Sequence, residues 1–120
     1  FVLGGGRRLC GQTVRSGMPD KRLFTCRNPV GTVAVITAGN FPVAVPAWYI
    51  VPALLCGNTV VWKPAEYSAA AAFAFHEIFV RGGGLPAGVF NMVIGDGPTA
   101  LTRVTISRGV FAGAKRPYHS

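Results

Sequence analysis

Residues 28–66 read N-P-V-G-T-V-A-V-I-T-A-G-N-F-P-V-A-V-P-A-W-Y-I-V-P-A-L-L-C-G-N-T-V-V-W-K-P-A-E. The run Thr32 to Thr37 holds Val33, Val35 and Ile36 with no charge, the pattern of a parallel strand covered on both faces. Ala38-Gly39-Asn40-Phe41-Pro42 stops it, since glycine admits unusual backbone angles and proline fixes its own. Val43 to Cys56 is apolar nearly all round and carries Pro46 and Pro52, which predicts a buried helix that is kinked or starts late. Gly57-Asn58 is a common helix ending. Thr59 to Trp62 is a second short strand, with Lys63-Pro64-Ala65-Glu66 as its exit loop. The unit is βαβ.

Ligands of open α/β sheets bind beyond the carboxyl ends of the strands, where an acidic residue after the second strand can hydrogen-bond a ribose diol. Glu66 has that position, and Lys63 beside it can donate to hydroxyls or a phosphate. The turn after the first strand supplies one glycine where G-x-G-x-x-G needs three, so spacing alone leaves nucleotide binding open.

Further along, Ser68 is a fitting N-cap for a helix from Ala69 to Val80, with Ala71, Phe75, Ile78 and Phe79 on one face and His76 and Glu77 towards another. His76 reads as a solvated helix residue. Gly82-Gly83-Gly84 ends the helix, Leu85-Pro86 turns the chain, and Val89 to Ile94 is a third strand with Asn91 near its end. The fold class is therefore α/β: a partial doubly wound, Rossmann-like βαβαβ parallel sheet, preceded by an N-terminal β-arm.

Three segments, P-V-G-T-V-A-V-I-T-A-G-N-F-P, P-A-L-L-C-G-N-T-V-V-W-K-P-A-E and L-P-A-G-V-F-N-M-V-I-G-D-G-P-T-A, stand in one order and closely resemble the cofactor-binding domain of the NAD(P)-dependent aldehyde dehydrogenase superfamily. The resemblance runs from Asn28 to Ala100. It implies that the Asn40 amide helps form an oxyanion hole and that Lys63 and Glu66 hold the adenosine ribose of NAD. It implies also that Ile36, Thr37, Ala38 and Gly39 line the cofactor cleft and substrate tunnel, and that Gly97 lies in a turn near the adenine side. Two positions depart from the family pattern. Gly39 stands where many members have tryptophan, and Leu101 where members often have a second glycine.

For a complete protein of this kind the implied reaction is oxidation of an aldehyde to an acid. A cysteine thiolate attacks the aldehyde carbon, the Asn40 amide steadies the developing oxyanion, NAD takes the hydride, and a glutamate activates the releasing water. In the family that cysteine and that glutamate lie downstream of Ser120, so the chain alone is expected to be inactive. NAD rather than NADP is expected, because Glu66 repels a 2′-phosphate. The expected partners are a small-molecule aldehyde and, in the full-length protein, further copies of the same subunit. A cytoplasmic setting is expected. The alternatives are a non-catalytic nucleotide-binding or assembly module made from that domain, and a basic binding protein unrelated to catalysis.

A chain of 120 residues, 50% hydrophobic and 13% charged, suits one small packed domain. Its formal charge of +8 first points to nucleic acid or an anionic surface, but the distribution argues otherwise. Residues 1–27 hold six basic residues and one acid, 28–100 two and three, and 101–120 four and none. No aromatic ladder accompanies the charge, so no nucleic-acid partner is expected.

The stretch 1–27 reads as a flexible Gly4-Gly5-Gly6 followed by two edge strands, Arg7 to Val14 and Arg22 to Arg27, around Ser16-Gly17-Met18-Pro19-Asp20. In the resembled family such strands belong to the oligomerisation arm. Charges there also guard edges against aggregation. Phe1 is not a methionine, so the natural start is expected upstream and no targeting segment can be sought.

Three cysteines offer neither metal spacing nor a disulfide framework, and Cys56 at a helix end reads as a small buried hydrophobe. The uncharged run Phe41 to Cys56 is shorter than the roughly 20 residues of a membrane span and contains prolines, so no membrane association is expected. The basic tail 101–120 lacks the family's F-T-G-S turn. Two expectations stand for it: a reading-frame change or truncation near Leu101, or a short variant whose tail binds something acidic.

Overall fold

The computed structural model describes residues 2–98, so the basic tail and the proposed frame change near Leu101 lie outside the described residues. The first element is not the flexible glycine run expected but a short helix, α1 (Val2–Gly6). Tertiary contact overrides the weak helix propensity of glycine. Gly6 lies so close to Leu55 that a Cβ there would stand 2.9 Å from both Leu55 δ-carbons.

The arm is an antiparallel ribbon, as expected, but far shorter. β1 (Thr13–Val14) pairs with β2 (Leu23–Phe24) in the register Thr13 to Phe24 and Val14 to Leu23. One further rung follows, where Thr25 N–H donates to the Gln12 carbonyl and Gln12 N–H to Thr25 Oγ1, each at 2.9 Å. Every strand residue is exposed, and a two-stranded ribbon with nothing packed on it has little to sustain longer pairing.

The core is a three-stranded parallel sheet of order β3-β4-β5, formed by β3 (Thr32–Ile36), β4 (Thr59–Lys63) and β5 (Phe90–Met92). Between β3 and β4 runs α2 (Ala44–Leu55). A 3-10 turn (Glu66–Ser68), α3 (Ala69–Glu77) and a π turn (Ile78–Gly82) lead towards β5. The strands advance across the sheet in chain order. Helices α2 and α3 lie on the same face, since their buried residues pack against the same side of the strands.

That face holds the core. Val35, Val60, Trp62 and Phe90 of the strands pack with Ile50 of α2 and with Ala72 and Phe75 of α3. Trp62 is central and fully buried, with Phe75 edge-on at 5.5 Å and Phe90 stacked at 6.1 Å between ring centroids. Each such aromatic pair contributes about 0.5–1.5 kcal/mol beyond its buried area.

The opposite face corrects the expectation of a strand covered on both sides. Alternation along β3 turns Thr32, Ala34 and Ile36 away from the helices, and Ile36 is 62% exposed. Among the described residues no helix packs there. Nor is α2 buried all round: Pro46, Ile50 and Val51 face inward while Trp48 and Tyr49 are exposed. One layer of helix on one sheet has a single buried side.

The helix does start late, at Ala44, with Pro46 in the first turn, where its missing N–H costs nothing. It ends where expected. Gly57 adopts φ +80, its N–H donates to the Leu54 carbonyl at 2.9 Å, and Asn58 N–H donates to the Ala53 carbonyl at 3.1 Å, a Schellman ending. Cys56, expected to be buried, is exposed, as are Cys10 and Cys26, and all three are free thiols.

Ser68 marks the start of α3 but does not cap it, because its hydroxyl donates back to the Ala65 carbonyl at 3.0 Å. The inward stripe is Ala72 and Phe75, both buried, with the partly buried Phe79, not one including Ile78, which is exposed. The stripe is rotated towards His76. That residue is consequently half-buried rather than solvated, its Nε2 3.0 Å from the Phe90 carbonyl and its ring 4.8 Å from the Phe90 ring. Glu77 pairs with Arg81, Oε2 to Nε 2.6 Å.

Candidate functional site

Parallel pairing puts the carboxyl ends of all three strands on one edge, so residues 37–42, 64–68 and 93–98 leave the sheet side by side. The hydrogen bonds persist past the strand ends: Thr37 N–H donates to the Lys63 carbonyl at 3.2 Å and Val93 N–H to the Trp62 carbonyl at 2.8 Å. The edge is therefore held by the sheet itself.

At the β4 exit, Lys63 Nζ lies 3.8 Å from Glu66 Oε1, with the lysine side chain 14% exposed and the glutamate 55%. The lysine is thus anchored against the domain and the carboxylate reaches into solvent. Together they offer a fixed cation that donates hydrogen bonds and an anion that accepts them. That donor set can hold a diol such as ribose.

At the β3 exit the four residues of the segment 36–39 divide. Ile36 and Ala38 face the open side of the sheet. Thr37 is buried, and its Oγ1 accepts a 2.9 Å hydrogen bond from the Trp62 indole N–H, so its hydroxyl belongs to the core. Gly39 is half-buried, and Asn40 follows it exposed.

Gly97 falls in the third exit loop, after β5, where a Cβ would meet open space. The structure therefore brings Lys63 and Glu66 into contact, sets Asn40 in the neighbouring loop, and keeps Thr37 inside.

One residue that sequence reasoning passed over braces this edge, and a second holds the opposite, strand-start edge. Tyr67 hydroxyl accepts a hydrogen bond from Gly39 N–H at 3.2 Å. Asn58, read from the sequence only as part of a helix ending, is buried and accepts at Oδ1 from Val30 N–H at 2.6 Å and Gly31 N–H at 3.0 Å. Its Nδ2 donates to the Ala53 carbonyl at 3.0 Å. The signal for Asn58 was present, since an amide has donors and acceptors to spend on a neighbouring loop. Tyr67 and Gly39 are 28 residues apart and share no pattern in the sequence.

Among the described residues no group of three His, Cys, Asp or Glu side chains could hold a metal, and no helix is long and apolar enough to cross a membrane. The cysteines stand away from the strand-exit edge, two on the arm and Cys56 at the carboxyl end of α2, beside the start of β4.

Residues 1–112 match the family model described as the aldehyde dehydrogenase family, a span that takes in the arm and part of the basic tail. Over 97 residues the chain is 45% identical to an alpha-ketoglutaric semialdehyde dehydrogenase of Bacillus subtilis, covering 81% of this chain and 20% of that protein. The structure is similar to that of an E. coli NADP-dependent enzyme, with TM-score 0.77 and 32% identity over 93% of this chain and 26% of that one. It is similar also to an NAD-dependent aldehyde dehydrogenase from Sinorhizobium meliloti, with TM-score 0.76 and 37% identity over 82% and 20% of the two chains. The chain spans about a fifth of the length of the curated relatives it matches.

Proposed function

Because the chain belongs to the aldehyde dehydrogenase family, we propose that it supplies part of the cofactor site of an enzyme that oxidises an aldehyde to a carboxylic acid with NAD. The observation that carries this reading is the Lys63–Glu66 pair at the carboxyl end of a parallel strand, one loop away from Asn40. Glu66 accepts hydrogen bonds from the ribose hydroxyls of the cofactor, and Lys63 donates to them. The backbone of residues 36–39 lines the cleft beside the pair, and Gly97 leaves room at the third loop. NAD, when bound, supplies the hydride acceptor.

Asn40 is the one side chain here assigned to the reacting centre. Its amide N–H donates to the oxygen of the aldehyde as negative charge develops on it, a preorganised donor that strengthens as the transition state forms. The thiolate and the base of the reaction belong to parts of the family's sequence beyond this stretch. Cys10, Cys26 and Cys56 are free and exposed, but none stands on the strand-exit edge, so none is assigned as nucleophile. Free exposed thiols fit a reducing compartment, which supports the cytoplasmic setting. The exposed ribbon of β1 and β2 supports subunit pairing through the arm.

A carboxylate at the ribose opposes a 2′-phosphate by charge, which supports NAD over NADP. Calorimetric titration of the chain with each cofactor tests the site, and incubation with NAD and a panel of aldehydes tests the chemistry. The expected result is NAD binding stronger than NADP binding, without NADH production. Binding of neither cofactor refutes the site, equal affinities refute the preference, and accumulating NADH refutes the assignment of the nucleophile to another part of the protein.

A further inference from the structure

Tyr67 follows Glu66 on the β4 exit loop, and its hydroxyl reaches across to the β3 exit turn, where it accepts from Gly39 N–H at 3.2 Å. The approach is close enough to depend on glycine. A Cβ built at Gly39 would stand 2.7 Å from Tyr67 Cζ and 3.0 Å from Ala65 Cβ, and nearer still to Tyr67 Cε2. The tyrosine ring thus occupies the space into which any larger residue at position 39 would project.

The ring is otherwise 80% exposed, so burial does not explain its placement. Its sequence neighbour is Glu66 and its contact's neighbour is Asn40, two of the polar residues of the edge. One side chain therefore braces the loop that carries the carboxylate against the turn that carries the amide.

We propose that Tyr67 is a positioning residue for the cofactor: its hydroxyl fixes the β3 exit turn relative to Glu66, and its ring forms a wall of the cleft in place of a side chain at position 39. The proposal rests on the reading of this edge as an NAD site. It gives the glycine at position 39 a physical role, because any side chain added there would meet the Tyr67 ring.

The test is a set of variants of the whole chain, read by NAD titration and by hydrogen exchange of the Gly39 amide. Tyr67→Phe keeps the ring and removes only the hydrogen bond. It should weaken NAD binding about threefold to tenfold and speed Gly39 exchange, with the thermal midpoint near that of the parent because the residue is exposed. Gly39→Ala should displace the ring and weaken NAD binding comparably. In Gly39→Ala/Tyr67→Ala the clash is gone, so the combined loss should fall below the product of the losses in Gly39→Ala and in Tyr67→Ala made singly, the signature of residues sharing one site.

Unchanged NAD affinity in Tyr67→Phe, unchanged Gly39 exchange, or single effects that multiply in the double variant would each overturn the proposal while leaving the cofactor reading intact. Failure of the parent chain to bind NAD would instead overturn the cofactor reading, and this inference with it.

Discussion

Asn58→Ala removes a side chain that ties three backbone segments together at the edge of the sheet opposite the candidate site. The amide accepts from Val30 and Gly31 at 2.6 and 3.0 Å and donates to Ala53 at 3.0 Å, joining the approach to β3 to the end of α2 just before β4 begins. At about 0.5–1.5 kcal/mol net for each bond, three bonds give about 1.5–4.5 kcal/mol. Val30 and Gly31 are exposed, so water recovers part of what their N–H groups lose, and the lower half of that range is expected.

With a urea m-value of about 1–3 kcal/mol/M for a small domain, the midpoint should fall by roughly 0.5–3 M. Tryptophan fluorescence reports it well, since Trp62 is fully buried and Trp48 is already exposed, so the change on unfolding comes from Trp62. Asn58→Asp, which keeps the acceptor and loses the donor, should fall between the two. NAD affinity of the folded variant should not change, because Asn58 stands at the strand-start edge. A midpoint within about 0.5 kcal/mol of the parent at equal m-value would refute the argument.

Thr37→Val should cost about 1–3 kcal/mol in thermal unfolding, because it leaves the indole N–H of the buried Trp62 without its 2.9 Å acceptor; an unchanged melting curve would show that another group takes the bond. Glu66→Gln should narrow the preference for NAD over NADP by about fivefold in paired titrations, a modest change because the carboxylate is half in solvent. An unaltered ratio would place the 2′ position elsewhere. In a full-length relative, replacing the asparagine that matches Asn40 with alanine should lower kcat about 10²- to 10³-fold with little change in cofactor affinity, and undiminished turnover would remove it from the oxyanion hole.

Much of the fold was legible because local chemistry and tertiary environment agreed. The uncharged β-branched runs at 32–36 and 59–62 became parallel strands, and Gly57-Asn58 ended α2 by the hydrogen bonds its residue types predict. Readings failed where a contact from far along the chain decided the matter. Gly4-Gly5-Gly6 is helical through its seat against Leu55. The inward side of α3 is set by where Phe90 and Trp62 lie, which rotated the buried stripe towards His76 and left Ile78 in solvent. Of the candidate site, Lys63 and Glu66 were legible as neighbours because they stand three positions apart in the chain. The brace from Tyr67 to Gly39 was not, because it spans two loops.

The sequence by itself determined the order of strands and helices, the parallel sense of the sheet and hence the edge at which polar groups collect. Those follow from hydrophobic period, turn residues and the handedness of crossovers, which act over a few residues at a time. The tertiary structure alone decided which face of each element is covered: both helices share one side, so Ile36, Trp48 and Tyr49, as apolar as their buried neighbours, stand exposed. Burial is a property of what packs against a residue rather than of its type, and the packing partners come from distant stretches of chain. For the same reason Thr37 turned its hydroxyl to Trp62, and Tyr67 packed against a backbone position without a side chain.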